Sequence, residues 1–344
     1  MSAPVQPAVW FPTVRSGTGT LVFTERLVAG VRKRGIRAEI TWLPLRAEYA
    51  PWAVRVAKPP EWATVAHVNT WLHPRFLPVG LPVVATLHHS IHHRDLKPYK
   101  GRLRGLYHRL WIRSVERRTL RRASAVTAVS HFVADTARHT LLDCPMRVIY
   151  NGVDTERFRP PARRSSHKPF RLLYVGSWIS RKGVDLLAPI MRELGEGFEL
   201  YYTGGPAAER SKKGMPPNMH DISRLRGDGA VIAAMQDADA FLFPSRSEGL
   251  PLVVIEAMAC GMPAITTRGS SLVEVVEGGV GGVLCRRDDV LAFAKAARDV
   301  AGNTALYEQL RYQARTIACS KFSEDAMIDD YVKCYIECSN GASN

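Results

Sequence analysis

The sequence predicts an α/β protein built from two doubly wound parallel sheets. Short apolar runs alternate with helical segments up to about residue 150, and the same alternation begins again near residue 171. The 344 residues also exceed what one hydrophobic core usually supports, so two domains of about 150 residues are expected. Each sheet should therefore form its own Rossmann-like domain.

The first domain is predicted from short strands that are separated by helices and turns. Each predicted strand is a run of mainly apolar residues with turn-forming residues on either side. The predicted strands cover residues 8–11, 38–42, 65–69, 83–87, 125–129 and 147–150. The predicted helices between them cover residues 18–34, 101–122 and 131–141.

The second domain repeats this pattern after a segment with the composition of a linker. Residues 157–169 contain three prolines, five Lys or Arg residues and little apolar content, which favours a hinge between the domains. The strands predicted beyond it cover residues 171–175, 199–202, 240–243, 264–266 and 282–285.

Composition is that of an ordinary globular protein. Hydrophobic residues make up 46% of the chain and charged residues 23%. No apolar run approaches the roughly 20 residues of a membrane-spanning helix, and residues 1–20 lack the apolar core of a signal peptide. The sequence therefore favours a cytoplasmic protein.

Neither cysteines nor histidines form a pattern typical of a metal site. The six cysteines are scattered, which favours free thiols over zinc ligands or disulfides. Four histidines lie in residues 86–93 (TLHHSIHH), but adjacent side chains on an extended segment point in opposite directions and no carboxylate cluster accompanies them. We expect no metal and no cofactor.

The most informative segment is 245–263, SRSEGLPLVVIEAMACGMP, because it places two carboxylates on either side of a loop-to-helix junction. Pro251 is suited to open a helix and Gly261 to end it. Glu248 would then lie in a loop after a strand, and Glu256 inside the helix. Isolated glutamates are usually solvated, but the apolar neighbours of Glu256 predict a buried carboxylate with a hydrogen-bond partner. Two such acceptors could hold different parts of one polyhydroxylated ligand.

This segment resembles the signature of the retaining glycosyltransferases of family 4, E-x7-E within PS-x-x-EG-x-P-x-x-x-x-EAMA-x-G-x-P. The resemblance extends to VIYNGVD at 148–154 with RFRP at 157–160, to YVG at 174–176 with RKG at 181–183, and to GSSLVEVV at 269–276. It covers about residues 8 to 300. It implies the GT-B fold, in which two Rossmann-like domains face a cleft. The corresponding divisions are 1–160 for the acceptor side, 161–322 for the donor side, and a helix in 323–344 that returns to the first domain.

Arg181 and Lys182 are candidates for binding the donor's diphosphate. They follow a predicted strand and precede a helix, where cations and backbone N–H groups meet a phosphate. Such a pair on a surface is more often solvated, but Lys182-Gly183 matches the family's Lys-Gly motif. The chain departs from the family at Gly176-Ser177, where many members have Gly-Arg. Arg181 is therefore expected to supply the positive charge that is absent at Ser177, and Gly176 is expected to lie in the donor-binding site.

The resemblance also implies roles for the residues of the E-x7-E segment. Glu248 is expected to contact the hydroxyls of the transferred sugar, and Glu256 those of the ribose. The backbone amides of Gly249 and Leu250 are expected to help hold the sugar or the phosphate. No residue stands out as a covalent nucleophile, which fits a same-face transfer in which the leaving phosphate takes the acceptor's proton.

The first domain contributes a glycine loop and a histidine to the expected site. Residues 15–20, RSGTGT, follow the first strand, and glycines allow backbone amides to approach a ligand closely. This loop is neither G-x-G-x-x-G nor a P-loop, so Gly17 and Gly19 are assigned to the donor by the resemblance. His88 matches a family histidine near the transferred sugar, where it can donate a hydrogen bond.

Charge predicts a second feature, a membrane-binding surface. The chain has 47 basic and 32 acidic residues, and residues 97–122 contain ten Lys or Arg and a single acid, Glu116. Leucines interleaved at helical spacing would let this helix lie on an anionic leaflet. The alternative is that the apolar stripe packs on the sheet and only the cations face water.

Together these features predict a retaining glycosyltransferase. It would move a hexose-type sugar from a nucleotide-sugar donor to a glycan acceptor, lipid-linked, in bacterial lipopolysaccharide or cell-surface polysaccharide synthesis, on the inner face of the membrane and without a metal. A sequence pI near 9.8 leaves a nucleic-acid-binding protein as an alternative, although no binding motif is present. A GT-B sugar-nucleotide epimerase or phosphorylase is the other alternative, and neither predicts the E-x7-E segment.

Overall fold

The structure is a computed structural model that describes residues 6–15, 19–162 and 167–341, apart from the side chains of Arg210 and Lys213. It divides into two compact units. The first unit comprises the chain up to Gly152 together with the segment from Asp325 onwards, and the second comprises Val153–Glu324. Each unit has its own sheet and its own core.

The sheet of the first unit has six parallel strands in the order β2-β1-β3-β4-β5-β6. The strands are β1 Val9–Val14, β2 Ala38–Leu43, β3 Val65–Asn69, β4 Val83–Leu87, β5 Ala125–Ala128 and β6 Arg147–Val148. The helices up to residue 141 are α1 Gly19–Lys33, α2 Arg46–Tyr49, α3 Arg102–Tyr107, α4 Arg113–Arg122 and α5 His131–Thr140.

The sheet of the second unit has six parallel strands in the order β12-β11-β10-β7-β8-β9. Its strands are β7 Phe170–Tyr174, β8 Phe198–Tyr202, β9 Met219–Asp221, β10 Ala240–Phe243, β11 Ala264–Thr267 and β12 Gly282–Cys285. Its helices are α6 Val184–Leu194, α7 Gly227–Gln236, α8 Leu252–Ala259, α9 Leu272–Val275, α10 Val290–Gly302 and α11 Thr304–Lys321. The predicted pair of doubly wound parallel sheets is thus confirmed.

The segment expected to be a hinge belongs to the second unit. The chain passes between the units after Gly152 rather than after residue 160. Phe158 is fully buried, and Arg315 donates hydrogen bonds to the carbonyls of Thr155, Phe158 and Ala259 at 2.8–2.9 Å. The proline-rich composition of residues 157–169 suggested a linker. The buried Phe158 and the hydrogen bonds from Arg315 instead attach the beginning of this segment to α8 and α11.

The last helix, α12 (Glu324–Gly341), packs within the first unit. Met327, Ile328, Tyr331 and Tyr335 join the core formed by β1, β3, β4 and α1. Gly30 on α1 permits this packing, because a Cβ there would lie 2.0 Å from Cδ1 of Ile328. The helix therefore completes the apolar face of the first sheet.

The basic segment predicted as one helix contains an irregular turn. A π-helical turn at His108–Ile112 separates α3 from α4. Only the later part of the apolar stripe packs inward, at Ile112, Val115 and Leu120. Leu103, Leu106 and Leu110 are 86%, 45% and 62% exposed, so the alternative that the apolar stripe packs on the sheet is wrong for these leucines.

Two further properties concern the described part of the chain. None of its helices combines the length and the apolar character needed to cross a lipid bilayer. Its six cysteines are free thiols, of which Cys260, Cys285 and Cys334 are buried.

Candidate functional site

The candidate site of the second unit lies where the order of its strands reverses. Strands β7 and β10 are neighbours, but the chain runs outward from β7 to β8 and β9 on one side and from β10 to β11 and β12 on the other. Loops at the carboxyl ends of such strands leave a crevice in which α/β proteins bind ligands. The loop after β7 contains Arg181 and Lys182, and the loop after β10 contains Glu248.

Lys182 and Glu248 form a buried ion pair between these loops. Nζ of Lys182 lies 2.7 Å from Oε1 of Glu248, and Nη1 of Arg181 lies 3.8 Å from Oε2. The hydroxyl of Ser245 donates a hydrogen bond to the same Oε1. Glu248 is only 5% exposed. The structure therefore brings Arg181, Lys182 and Glu248, three of the four charged residues predicted in this unit, into one cluster.

The pKa values of this pair reflect burial opposed by charge. Burial alone would raise the pKa of Glu248, but the charges of Lys182 and Arg181 and the hydrogen bonds from Lys182 and Ser245 hold it below its usual range. Burial lowers the pKa of Lys182, while the charge of Glu248 opposes that shift. The carboxylate is thus ionised at neutral pH and holds the ammonium in the crevice.

The loops after β7 and β10 are in close contact beside this cluster, and the contact requires a glycine at position 183. Gly183 has φ +72°, and a Cβ on it would lie 2.1 Å from the carbonyl oxygen of Pro244. Arg181 donates to the carbonyl of Ser247 at 2.5 Å. The glycine of the Lys-Gly motif thus lets the β7 loop lie against the β10 loop.

Arg246 is a residue of the site that the sequence reasoning missed. Its guanidinium binds both carboxylate oxygens of Asp185 at 2.7 Å and Oδ1 of Asp288 at 2.6 Å. The hydrogen bonds that Arg246 donates to Asp185 outweigh burial and raise the pKa of Arg246. It ties the Glu248 loop to the start of α6 and to the loop after β12. The sequence signal was a basic residue two positions before Glu248 in the loop after β10.

Two serines after β11 hold the backbone of Glu248 and were also missed. The N–H of Glu248 donates to Oγ of Ser270 at 3.1 Å, and Oγ of Ser271 donates to the carbonyl of Glu248 at 3.2 Å. They lie in the GSSLVEVV segment, whose match to the family was noted without a role. The backbone N–H and the backbone carbonyl of Glu248 are therefore both hydrogen-bonded within the protein.

Gly176 lies in the loop after β7, where its peptide groups are already engaged. Its N–H donates to Oγ1 of Thr203 at 3.0 Å, and its carbonyl accepts from the same hydroxyl at 3.2 Å. A Cβ on Gly176 would lie 2.9 Å from the hydroxyl oxygen of Tyr174. Gly249 and Leu250 are buried directly after Glu248.

Glu256 lies on α8 as predicted, but it is half-buried rather than buried. Leu252 and Val253 are half-buried too, whereas Val254, Ile255 and Ala257 are fully buried. Positions 252, 253 and 256 share one face of the helix, since residues four apart lie on the same side. The apolar neighbours suggested a helix buried all round, but this face is accessible.

The first unit contains the other predicted site residues. Gly19 opens α1, and Gly17 lies outside the described residues. The ring of His88 contacts Phe23 edge to face, with centroids 4.6 Å apart. Burial lowers the pKa of His88 to about 4, so its imidazole is neutral at pH 7 and can donate through one N–H. Their contacts with a substrate stay predictions.

Among the described residues, no three His, Cys, Asp or Glu side chains are grouped closely enough to hold a metal ion. Of the four histidines in 88–93, His92 instead pairs with Glu116 at 2.8 Å, and Nδ1 of His93 accepts from the N–H of Asp95. The cations closest to Glu248 are Lys182 and Arg181.

Known glycosyltransferases match both halves of the chain. Residues 9–157 match the family model described as Glycosyltransferase Family 4, and residues 169–303 match the model described as Glycosyl transferases group 1. Glycogen synthase of Mycobacterium tuberculosis is 29% identical over 294 residues, 80% of this chain and 69% of that protein. The putative colanic acid biosynthesis glycosyltransferase WcaL of Escherichia coli is 28% identical over 228 residues, 59% of this chain and 56% of that protein.

Solved structures share the fold of this chain. Sucrose-phosphate synthase of Thermosynechococcus elongatus superimposes with a TM-score of 0.78 at 18% identity, covering 98% of this chain and 100% of that one. HepE of Anabaena in complex with UDP-glucose gives a TM-score of 0.72 at 15% identity, covering 96% and 99%. The two family models together span most of the chain, and the fold agrees with them. We conclude that the chain is a glycosyltransferase of the family 4 and group 1 type, with the GT-B fold.

Proposed function

We propose that the chain transfers a hexose-type sugar from a nucleotide-sugar donor to a glycan acceptor, with retention of configuration, in the synthesis of a surface polysaccharide or lipopolysaccharide. The observation that carries the donor assignment is the Lys182–Glu248 pair, with Arg181 beside it, at the strand switch point of the second unit. Two cations beside a buried carboxylate suit a ligand that has both phosphates and hydroxyls.

The proposed chemistry divides the charges of this cluster between the two parts of the donor. As the bond between sugar and phosphate breaks, negative charge grows on the leaving diphosphate, and a fixed cation stabilises it most where water is excluded. Lys182 and Arg181 take this role. Glu248 accepts hydrogen bonds from the hydroxyls of the transferred sugar, and Glu256, on the accessible face of α8, accepts from the ribose.

Retention follows in this proposal from a same-face transfer. Glu248 is a poor nucleophile, because Lys182 and Ser245 donate hydrogen bonds to one of its oxygens and its pKa lies below the usual range. The acceptor hydroxyl therefore attacks from the side of the departing phosphate, which takes its proton. The carboxylate positions the sugar and does not bond to it.

The proposed donor is a UDP-sugar. HepE, which shares the fold, was solved with UDP-glucose, and its fold covers nearly all of this chain. The proposed pathway class comes from WcaL, which carries the description of a colanic acid biosynthesis glycosyltransferase.

The proposed acceptor is linked to a lipid, and the first unit contacts the membrane through residues 97–122. This segment combines the exposed leucines of α3 and the adjoining turn with a large excess of cations. Apolar side chains can enter the headgroup region while the cations meet anionic lipids, at about 1 kcal/mol for each cation near the surface.

Thermal stabilisation by nucleotide sugars tests the donor assignment. The purified protein is heated with UDP-, GDP-, dTDP- or CMP-sugars in the presence of EDTA, since a ligand that binds only the native state raises the melting temperature. We expect a selective shift with UDP-sugars. Glu256→Gln should reduce it, and Glu196→Gln, an exposed glutamate of the same unit, should leave it unchanged.

Other outcomes would redirect the assignment. A selective shift with another nucleotide sugar would replace UDP as the donor nucleotide. No shift with any nucleotide sugar, together with a shift with oligonucleotides, would favour the nucleic-acid-binding alternative. Equal shifts in Glu256→Gln and wild type would remove Glu256 from the donor site.

A further inference from the structure

The first unit contains a cavity of about 790 Å³ that the proposed donor chemistry does not use. It lies between the turn at Arg94–Tyr99, the helix α3 with its π-helical turn, and the end of α5. The residues that line it include Lys97, Lys100, Arg102, Arg109 and Arg113, and none of them is acidic. Its lining is therefore strongly positive.

Three of these cations have no ionic partner. The side chains of Lys97, Arg102 and Arg109 form no ion pair or hydrogen bond with any residue that the structure describes. Those of Lys100 and Arg113 donate to the backbone carbonyls of Ile91 and Thr140. The acid of this basic segment, Glu116, does not pair with these three cations. It accepts hydrogen bonds from Thr70 and Trp71 and pairs with His92, which lines the cavity, and its charge also acts on Lys100. Lys97, Arg102 and Arg109 thus leave the cavity with a net positive charge.

His108 adds a buried polar atom that is not satisfied. This lining residue is 6% exposed, and its Nδ1 has no hydrogen-bond partner among the described residues. A buried polar group without a partner costs about 1–3 kcal/mol, so a ligand that bonds to it recovers that cost. Burial, together with the charges of Lys100 and Arg104, lowers the pKa of His108 to about 4, so the neutral ring can donate one N–H at pH 7.

The surface beside the cavity is apolar. Leu106 lines the cavity and is 45% exposed, and Leu103 and Leu110 extend from the same helical segment into solvent. Free phosphate or a soluble nucleotide gives no reason for exposed leucines at the rim. A ligand that has both anionic oxygens and a hydrocarbon chain matches both surfaces.

We propose that this cavity binds the diphosphate of a lipid-linked acceptor, with Lys97, Arg102 and Arg109 on the phosphate oxygens and the leucines against the lipid. This deepens the proposed function and rests on it, because it gives the acceptor a diphosphate anchor. Arginine guanidinium groups suit phosphate oxygens, since they donate two parallel hydrogen bonds. A headgroup fixed here would hold the attached glycan near the protein surface during transfer.

Vesicle binding tests this proposal on the intact protein. Phosphatidylcholine vesicles are prepared with a polyprenyl diphosphate or with phosphatidylglycerol at equal surface charge, and inorganic pyrophosphate serves as a soluble competitor. Wild type should bind the polyprenyl diphosphate vesicles at least about tenfold more tightly than the phosphatidylglycerol vesicles. Pyrophosphate should compete with the polyprenyl diphosphate vesicles for the protein. Arg102→Gln/Arg109→Gln should lose this preference, and the charge-matched control Arg118→Gln/Arg121→Gln, outside the cavity, should keep it.

Three results would overturn the proposal: equal binding to both vesicles, equal loss in both double variants, or no competition by pyrophosphate. Both variants replace exposed side chains, so their melting temperatures should match that of wild type. The shift with nucleotide sugars is measured on the same proteins. A protein that loses lipid preference but keeps the donor shift separates failure at this cavity from failure of the transferase assignment.

Discussion

At the scale of single residues, the stability of the candidate site depends on one charge neutralising another. Lys182 and Glu248 are both largely removed from water, at 16% and 7% side-chain exposure. Moving two charges from water costs several kcal/mol, which their mutual attraction offsets only while both are present. Removing one of them therefore leaves an uncompensated charge, and removing both does not.

This difference predicts the result of a double-mutant cycle. Glu248→Gln should lower the free energy of unfolding by about 3 kcal/mol, because the ammonium of Lys182 loses its carboxylate. Glu248→Gln/Lys182→Met should be less destabilised than the sum of the two single variants. Urea unfolding followed by tryptophan fluorescence measures all four proteins. Asp299→Asn, which breaks the exposed Lys295–Asp299 pair, is the control and should cost under about 0.5 kcal/mol.

The same pair predicts a pH dependence whose direction follows from the lowered pKa of Glu248. A carboxylate with a lower pKa in the folded protein stabilises it above its unfolded pKa, about 4.3, and this stabilisation is lost as the pH falls further. The difference in free energy of unfolding between wild type and Glu248→Gln should therefore be largest at pH 7 and should decrease below about pH 4.3. Strict additivity in the cycle, or a gap independent of pH, would contradict the pairing.

At the scale of secondary-structure elements, the sequence predicts strands better than the contacts between distant segments. Strands β3, β4, β10 and β12 have the bounds expected, since each is an apolar run with clear ends. Strand β9 (Met219–Asp221) was missed because two of its three residues are polar. The ion pairs of Arg246 with Asp185 and Asp288 were missed for another reason. Both aspartates are far from Arg246 in the sequence, and no local pattern relates them to it.

Helix α12 depends on a buried polar network that links it to the sheet of the first unit. The hydroxyl of Tyr335 lies 2.5 Å from Nδ1 of His67, and Nε2 of His67 lies 2.7 Å from Oγ1 of Thr86. Burial, and in acid the charge of protonated His88, lower the pKa of His67 to about 3, so the His67 ring is neutral at pH 7. Tyr335, His67 and Thr86 thus form a chain of buried hydrogen bonds, and Tyr335 is the partner of Nδ1 of His67.

Tyr335→Phe should therefore destabilise the first unit by about 1–3 kcal/mol, because it leaves Nδ1 of His67 buried without its partner. Hydrogen exchange measured by mass spectrometry should show faster exchange in α12 and β3. Tyr312→Phe, which removes the hydroxyl of an exposed tyrosine on α11, should change neither stability nor exchange. Unchanged protection of α12 in Tyr335→Phe would mean that packing alone holds this helix.

At the scale of the whole molecule, charge and exposed apolar surface act together. The net charge of +15 attracts any anionic surface, including nucleic acid, so attraction alone does not identify a partner. The sequence predicted the basic segment, but it could not tell which leucines pack inward, because the π-helical turn at His108–Ile112 shifts the faces of the two helices around it. The structure separates the buried Ile112, Val115 and Leu120 from the exposed leucines.

Replacing the exposed leucines tests whether they enter a membrane. Leu103→Ser/Leu110→Ser should leave stability unchanged, because both side chains already face water. It should weaken binding to phosphatidylcholine–phosphatidylglycerol vesicles by at least about tenfold, since burying each leucine in the headgroup region contributes up to about 1.5–3 kcal/mol. Raising the salt concentration should weaken vesicle binding by wild type and by the double variant, because salt screens the cations. Leu291→Ser, an exposed leucine on α10, is the matched control and should bind like wild type. If the double variant binds vesicles as tightly as Leu291→Ser, attraction is purely electrostatic and the leucines have another role.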